Sequence, residues 1–479
     1  MRNFKANVRG LILAAALGLC FQGNLQAAGF ALIEMNASGQ GNSYAGAAVA
    51  TRDASTIFFN PAGMMQLQQD QLAIVAHYIV PSADFSNDGS FTAPQPIIPA
   101  PGVVGGGGAP LSGDEDDGGS DAFVPNLYWV KTINPDTRFG LGVNSPFGLT
   151  VEYDEDWVGR YHAILSELLT VNINPSLAYR VNEKLSIGGG INFMLVDANL
   201  SSAIDFGAFC YGVNPLGPGN CDGVDLTPSN LDPDFDSDGE LDLKADNFDD
   251  VATGFNLGLV YHISKRTRVG VAYRSEVDVS VEGEGDFTVP DNPTLNVLVG
   301  ASGAFVDSDI SVDVTLPETF SISLAHTVGK YTWLFDITRT GWSSFDELRV
   351  EYDNPSQPDS LTTEDWDDSN RYSIGLDYQY SDKMILRTGI ALDETPVPSA
   401  ERRTPRLPGN DRTWISFGLT YLASPQMTID VGYSHLFVDD ADIENDLESE
   451  SIPELNATLE GEYEAEVDIF STQLTWMLK

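Results

Sequence analysis

Along most of this chain apolar and polar residues alternate one by one. Between residues 266 and 279, Val269, Val271, Tyr273, Val277 and Val279 fall on one face of an extended strand, opposite Gly270, Ala272, Arg274, Glu276 and Asp278, because successive strand side chains point to opposite sides. The same split recurs at 413–421, where Ile415, Phe417, Leu419 and Tyr421 oppose Ser416, Gly418 and Thr420. It recurs again at 185–195, with Leu185, Ile187, Ile191, Phe193 and Leu195 against Ser186, Gly188, Gly190 and Asn192. In the final stretch Phe470, Leu474, Trp476 and Leu478 oppose Ser471, Gln473 and Thr475, and this strand is expected to close the sheet against the first.

The connections turn this alternation into an architecture. About fourteen strand candidates are joined by linkers that are strictly short, then long. Asn134-Pro135-Asp136, Asn182-Glu183-Lys184, Ser264-Lys265-Arg266, Val328-Gly329-Lys330, Ser381-Asp382-Lys383 and Ser424-Pro425-Gln426 read as tight turns. Between them lie long segments near 85–121, 150–160, 206–250, 283–309, 351–364, 395–410 and 440–462. After residue 19 no apolar run reaches the length of a membrane-spanning helix, so a membrane would be crossed by strands. The pattern predicts an all-β fold: a 14-stranded antiparallel transmembrane barrel over 70–479, with short periplasmic turns and long extracellular loops.

Two segments precede it. Arg2, Lys5 and Arg9, an apolar run over 11–19 and Leu25-Gln26-Ala27 before Ala28 form the layout of a secretory signal, with cleavage after Ala27. Cys20 follows Leu19 rather than a small residue, so lipid attachment does not fit and Cys20 leaves with the signal. Residues 28–69 are too rich in Gly and Ala for a strand, as in Ala37-Ser38-Gly39-Gln40-Gly41 and Tyr44-Ala45-Gly46-Ala47-Ala48. A fourteen-strand barrel encloses a lumen wide enough to leak, and this segment suits a hatch buried inside it. The other reading of it is a periplasmic tail.

Charge sharpens the assignment. The 479 residues carry 25 Lys+Arg against 70 Asp+Glu, a net of −45, and loss of the three basic residues in 1–27 takes this to −48. A nucleic-acid partner is thereby excluded, since phosphate binding needs clustered Lys and Arg. Acid runs lie in the long loops, as at 114–117, while Lys184, Lys265, Arg266, Lys330 and Lys383 lie in the tight turns. Asp234, Asp236, Asp238 and Gly239 begin like a calcium loop, but Ala245 stands where the bidentate Glu belongs. Cys210 and Cys221 sit ten residues apart within a Gly/Pro-rich stretch of an exported chain, and are expected to form a disulfide. No metal or other cofactor is implied.

Enzymatic chemistry has no constellation here. His77, His162, His262, His326 and His435 are scattered, and neither a Gly-x-Ser-x-Gly elbow nor a His-Glu-x-x-His helix is present. Ser434 and His435 are adjacent on a strand and so face opposite ways.

Several short motifs carry a family resemblance. Ala28-Gly29-Phe30, Asn60-Pro61-Ala62, Phe147-Gly148-Leu149 leading to Trp157, Tyr273-Arg274-Ser275-Glu276-Val277, Leu316-Pro317-Glu318, Arg387-Thr388-Gly389-Ile390-Ala391, Pro396-Val397-Pro398 and Asp411-Arg412 occur in order from residue 28 to the end of the chain. In these the chain resembles the FadL family of outer-membrane transporters for long-chain fatty acids and other hydrophobic compounds. The family ordinarily ends on an aromatic residue, where this chain has Met477-Leu478-Lys479. The resemblance implies a Gram-negative outer membrane, a hydrophobic small-molecule ligand, membrane lipids and the barrel-assembly machinery as partners, and passive uptake.

It also implies a mechanism in which an internal pocket captures the ligand, the hatch shifts, and an inward kink in the third strand opens the wall. Here the matching strand is 140–149, whose ladder Ser145, Pro146, Phe147 and Gly148 interrupt, because Pro lacks an N–H and Gly permits unusual dihedrals. Phe30, Leu32 and Ile33 are the expected ligand-side residues of the hatch, and Asn60, Pro61 and Ala62 its anchor. The places where fatty-acid members of the family hold a carboxylate correspond to Asn199-Leu200-Ser201-Ser202 and Leu361-Thr362-Thr363-Glu364, which carry no Arg or Lys. Arg274 shares its face with Glu276 and Asp278 and reads mainly as an ion-pair partner of those acids; Arg160 and Arg349 lie near loops. The cargo is a fatty acid, or an uncharged hydrocarbon or aromatic compound; a general porin or a surface-loop receptor barrel is the rival reading.

Overall fold

The computed structural model describes residues 29–92, 110–213, 238–248, 250–447 and 455–478; the expected signal segment 1–27 lies outside them. Fourteen antiparallel strands form a closed barrel. In chain order the first five run over Asp70–Asn87, Ala122–Asn134, Thr137–Asn144 with Gly148–Glu152, Leu165–Arg180 and Leu185–Asp205. The sixth to ninth are each in two pieces: Asp238–Asp246 and Ala252–His262, Thr267–Arg274 and Val277–Thr288, Ser308–Leu316 and Thr319–Val328, Tyr331–Thr340 and Glu347–Tyr352. The last five are Ser369–Ser381, Met384–Asp393, Arg412–Ser424, Met427–Val438 with Ala441–Asp446, and Ala457–Leu478. Each pairs with its neighbours, and the first meets the last in register from Asp70↔Leu478 to Asn87↔Gly461, so the sheet closes on itself.

Each face has one solvent. Leu257, Phe417 and Phe470 stand outward, about half exposed in the lipid-facing band. The inward Ser416 and Ser434 are buried and bonded to each other at 2.7 Å, and Ser416 accepts from Ser43 at 2.7 Å.

Residues 29–67 fill the lumen. Asn36 caps the short helix Ala37–Gln40 by accepting from the Gly39 N–H, and Asn60 caps the 3-10 turn Pro61–Gln66 through the Ala62 N–H, with Pro61 at the first position. Close approach of this hatch to the wall depends on glycine: a Cβ on Gly418 would meet the Gly41 Cα at 2.6 Å, and one on Gly389 would meet the Asn42 carbonyl carbon at 2.2 Å. Charge locks the same level, where Arg52 pairs with Asp377 at 3.1 Å and Arg387 with Asp430 at 3.3 Å.

One expectation about faces is overturned. The seventh strand breaks at Ser275-Glu276, so its facing inverts: Gly270, Ala272 and Arg274 point inward below the break, and Val277, Val279 and Val281 point inward above it. A slip of one residue moves every later side chain to the other face. Glu276 and Asp278 are therefore exposed, and they do not pair with Arg274. Instead Arg274 donates to the Asn192 side-chain oxygen at 2.6 Å and the Phe58 carbonyl at 3.0 Å, and lies over the Phe58 ring.

Candidate functional site

The third strand is where the wall is incomplete. Its ladder with the second strand runs from Asn134↔Thr137 to Leu127↔Val143 and stops there. Beyond the interruption, Gly148–Glu152 pairs with the fourth strand alone, and residues 122–126 of the second strand pair with the first alone. A notch is left between them. Part of the freed backbone is taken up by the hatch: the Leu32 N–H donates to the Pro146 carbonyl at 2.8 Å, and the Gly148 N–H to the Phe30 carbonyl at 3.0 Å. Thr170 Oγ1 accepts the Phe147 N–H at 3.1 Å, and Asn126 Nδ2 donates to the Glu34 carbonyl at 2.9 Å. The N-terminal segment thus acts as a short strand docked on the kink, with Ala31 facing Phe147.

Phe30 is held by rings. Its centroid lies 4.8 Å from Trp342, 5.5 Å from Phe345 and 6.0 Å from both Phe147 and Trp366. Gly29 makes this possible, since its φ is +60° and a Cβ there would sit 2.4 Å from the Trp342 ring.

Above Phe30 is a cavity of about 130 Å³, lined by Leu168, Val196, Leu243, Val279, Ile310 and Leu348 among others. Its apolar walls with a few polar groups among them are those of a small-molecule site. The outer pieces of strands six to nine supply much of the lining, and in strands six to eight it is the inverted facing beyond the break that turns these apolar residues inward.

Glu364 and Arg406 are charged groups in this lining. Arg406 donates to the Leu165 carbonyl at 2.9 Å, the Ser166 hydroxyl at 2.7 Å and the Ser201 carbonyl at 3.4 Å. Burial lowers its guanidinium to about 10, and burial pushes the Glu364 carboxyl up to about 8. Glu364 Oε2 is buried with no hydrogen-bond partner among the described residues. A basic group thus does reach the pocket, contrary to the sequence expectation. A signal for it existed: three of the five basic residues in the long loops, Arg402, Arg403 and Arg406, lie within 395–410. Arg160 is instead tied to Asp238, the Ser112 carbonyl and Tyr161, and Arg349 pairs with Glu347 and Asp359 at the surface.

Below Phe30 a second cavity is lined by Leu32, Ile33, Glu34, Phe58, Phe59, Pro146, Phe147, Arg274 and Arg371. Glu34 is pushed up to about 7, chiefly by burial. Asn60 sits at the wall, its Nδ2 donating to the carbonyls of Ala48 at 2.7 Å and Leu259 at 3.1 Å; Pro61 and Ala62 lie against Gly188. Ser145 donates to the Phe147 carbonyl within the kink. Cys210 is buried on the helix Phe206–Val213 and is disulfide-bonded; Cys221, Asp234 and Asp236 lie outside the described residues. Asp238 serves Arg160 and Tyr161.

Comparison with known proteins decides the family. Residues 18–477 match the model of the outer membrane protein transport protein family (OMPP1/FadL/TodX). The chain belongs to this family. The long-chain fatty acid transport protein of Escherichia coli O6:H1 is 29% identical to this OMPP1/FadL/TodX member over 85% of the chain and 86% of that protein. Outer membrane protein P1 of Haemophilus influenzae is 30% identical, over 89% of each. Among solved structures, a Pseudomonas aeruginosa FadL homologue superposes with a TM-score of 0.79 at 24% identity, covering 94% of this chain and all of the other, which shows a shared fold. The Ralstonia pickettii toluene transporter TbuX gives 0.59 at 16% identity, over 92% and 99%. The chain is accordingly an outer-membrane transporter of hydrophobic compounds in a Gram-negative bacterium.

Proposed function

We propose that this transporter is a passive uptake channel for long-chain fatty acids, which are captured in the apolar cavity above Phe30 and released sideways into the membrane through the notch at residues 144–148. One observation carries the reading: the segment that floors the pocket and the segment that interrupts the wall are hydrogen-bonded to each other, Phe30 to Gly148 and Leu32 to Pro146. Displacement of the floor therefore frees the kink. A sideways exit agrees with the lower cavity, where Glu34, Arg274 and Arg371 would meet an oily chain and desolvation of unmatched charge is costly. The anchoring of residues 36–67 by Arg52 and the inward glycines supports a hatch of which only the first residues move. The Escherichia coli O6:H1 relative, named as a long-chain fatty acid transport protein, supports a lipid cargo.

Mass spectrometry of organic extracts from detergent-purified, folded protein tests this reading, with an unrelated barrel purified identically as control. Enrichment of fatty acids is the expected result. No enrichment, together with steady ion conductance in planar bilayers, would replace the uptake channel with an open porin.

A further inference from the structure

The upper cavity has one acid and one base in its lining without pairing them. Arg406 and Glu364 both line it, yet no ion pair joins them among the described residues. Arg406 spends three N–H donors on Leu165, Ser166 and Ser201, and a guanidinium has five. Glu364 is 3% exposed; its Oε2 completes no hydrogen bond among the described residues, and the Trp366 indole N–H is its neighbouring donor. The remaining walls are aliphatic or aromatic apart from Ser166 and Glu167, and Glu167 is engaged by Asn199 at 3.0 Å. Spare guanidinium donors and a buried carboxyl in an otherwise oily slot suit a ligand head group with complementary atoms.

Resting on the fatty-acid reading, we propose that Arg406 and Glu364 form the head-group site, in which the Glu364 carboxyl donates its proton to one oxygen of the ligand carboxylate while Arg406 donates to the other. The bound state then holds two carboxyl groups, one proton and one guanidinium, with no net charge. Two ionised carboxylates facing each other in an apolar pocket would not be tolerated. Protonation of Glu364 in the unliganded pocket follows from burial, which pushes its carboxyl up to about 8 against the opposing influence of the Trp366 indole N–H, Arg406 and Arg402. The other titratable groups nearby are Asp365, paired with Arg402 at 3.0 Å, Glu167, and His162 and Tyr153, which face Arg406. A ligand that arrives as a carboxylate therefore binds without proton uptake near neutrality. Above the titration of Glu364 each binding event must take up one proton, and affinity falls about tenfold per pH unit.

The test uses full-length protein in detergent, verified as a folded barrel by its heat-modifiable migration, with radiolabelled palmitic acid and hexadecanol as probes. Palmitate affinity is expected to fall about tenfold between about pH 7 and pH 9, whereas hexadecanol, whose hydroxyl donates to an ionised Glu364, holds its affinity. In Glu364→Gln the palmitate profile flattens over that range. In Arg406→Lys palmitate weakens far more than hexadecanol, because an ammonium cannot reproduce the planar fork. A flat palmitate profile in the unaltered protein would overturn the shared-proton site and leave fatty-acid uptake standing. Failure of folded protein to bind palmitate at any pH would overturn both.

Discussion

The carbonyl of Phe30 accepts a hydrogen bond from the backbone N–H of Gly148 at 3.0 Å, so a residue of the hatch supplies an acceptor for the broken third strand. Within a hydrocarbon-facing wall an unsatisfied backbone group costs several kcal/mol, and this contact makes the floor of the pocket and the integrity of the wall one structural element. The ring of Phe30 performs the other half of the task, closing the cavity from below against Trp342 and Phe345.

Removing that ring should shorten ligand residence. Phe30→Ala deletes four aromatic contacts, and Gly29→Val forces a side chain into Trp342 at a left-handed backbone position. Both variants should fold as barrels, since neither residue lies within a barrel strand and the Phe30 carbonyl that accepts from Gly148 is kept in each, and both should release bound palmitate at least several-fold faster. Stopped-flow displacement reads the rate; release at the unaltered rate from both would remove Phe30 from the gate.

The hatch body should be separable from the gate. Gly418→Val places a side chain where Gly41 already lies, and Asp377→Ala leaves Arg52 and Arg387 without a shared acid. Because breaking a largely buried pair leaves uncompensated charge, both should loosen residues 36–67. Planar-bilayer recordings are expected to show little conductance for the unaltered protein and large, flickering conductance for each variant. Silent variants would mean that the lumen is sealed by something other than this packing.

Much of this design was legible in the sequence because it depends on local periodicity. Fourteen strands, their tight turns and the interruption at Ser145–Gly148 all follow from alternation and from Pro146. The inverted facing after Ser275 was not legible: a one-residue irregularity leaves hydrophobic residues every second position on both sides of it, and only the neighbouring strands reveal which face turns inward. Arg406 was missed for a different reason. It lies in a loop, and only folding carries it to Leu165 and Ser201. Glu364 gave no signal in the sequence, because a carboxylate ligand leads one to expect a cation and not a second carboxyl.

Attachment of the gate should depend on pH through Glu34. Burial pushes its carboxyl up to about 7, opposed by Arg412 and Arg371, with Asp393 also nearby. A carboxyl that is raised in the folded state binds more protons there than in the unfolded chain. Its stabilising contribution is therefore full below the ordinary carboxyl range and is lost as pH rises through about 7. Hydrogen exchange at Leu32 should consequently quicken, beyond the intrinsic base catalysis, between about pH 5 and pH 8, and Glu34→Gln should abolish that excess. An excess that persists in the variant would assign the effect elsewhere.

The central claim is that the docked segment must leave the kink for cargo to exit. Ala31 and Phe147 face each other between the two hatch-to-kink hydrogen bonds, the close-spaced position of an antiparallel pair, where a disulfide fits. Uptake of radiolabelled palmitate by cells carrying Ala31→Cys/Phe147→Cys is the direct measurement, made with the pair oxidised and then reduced, with the single Ala31→Cys variant as control. Oxidation should abolish uptake while purified protein still binds palmitate, and reduction should restore it. Undiminished uptake through the cross-linked protein would contradict the account.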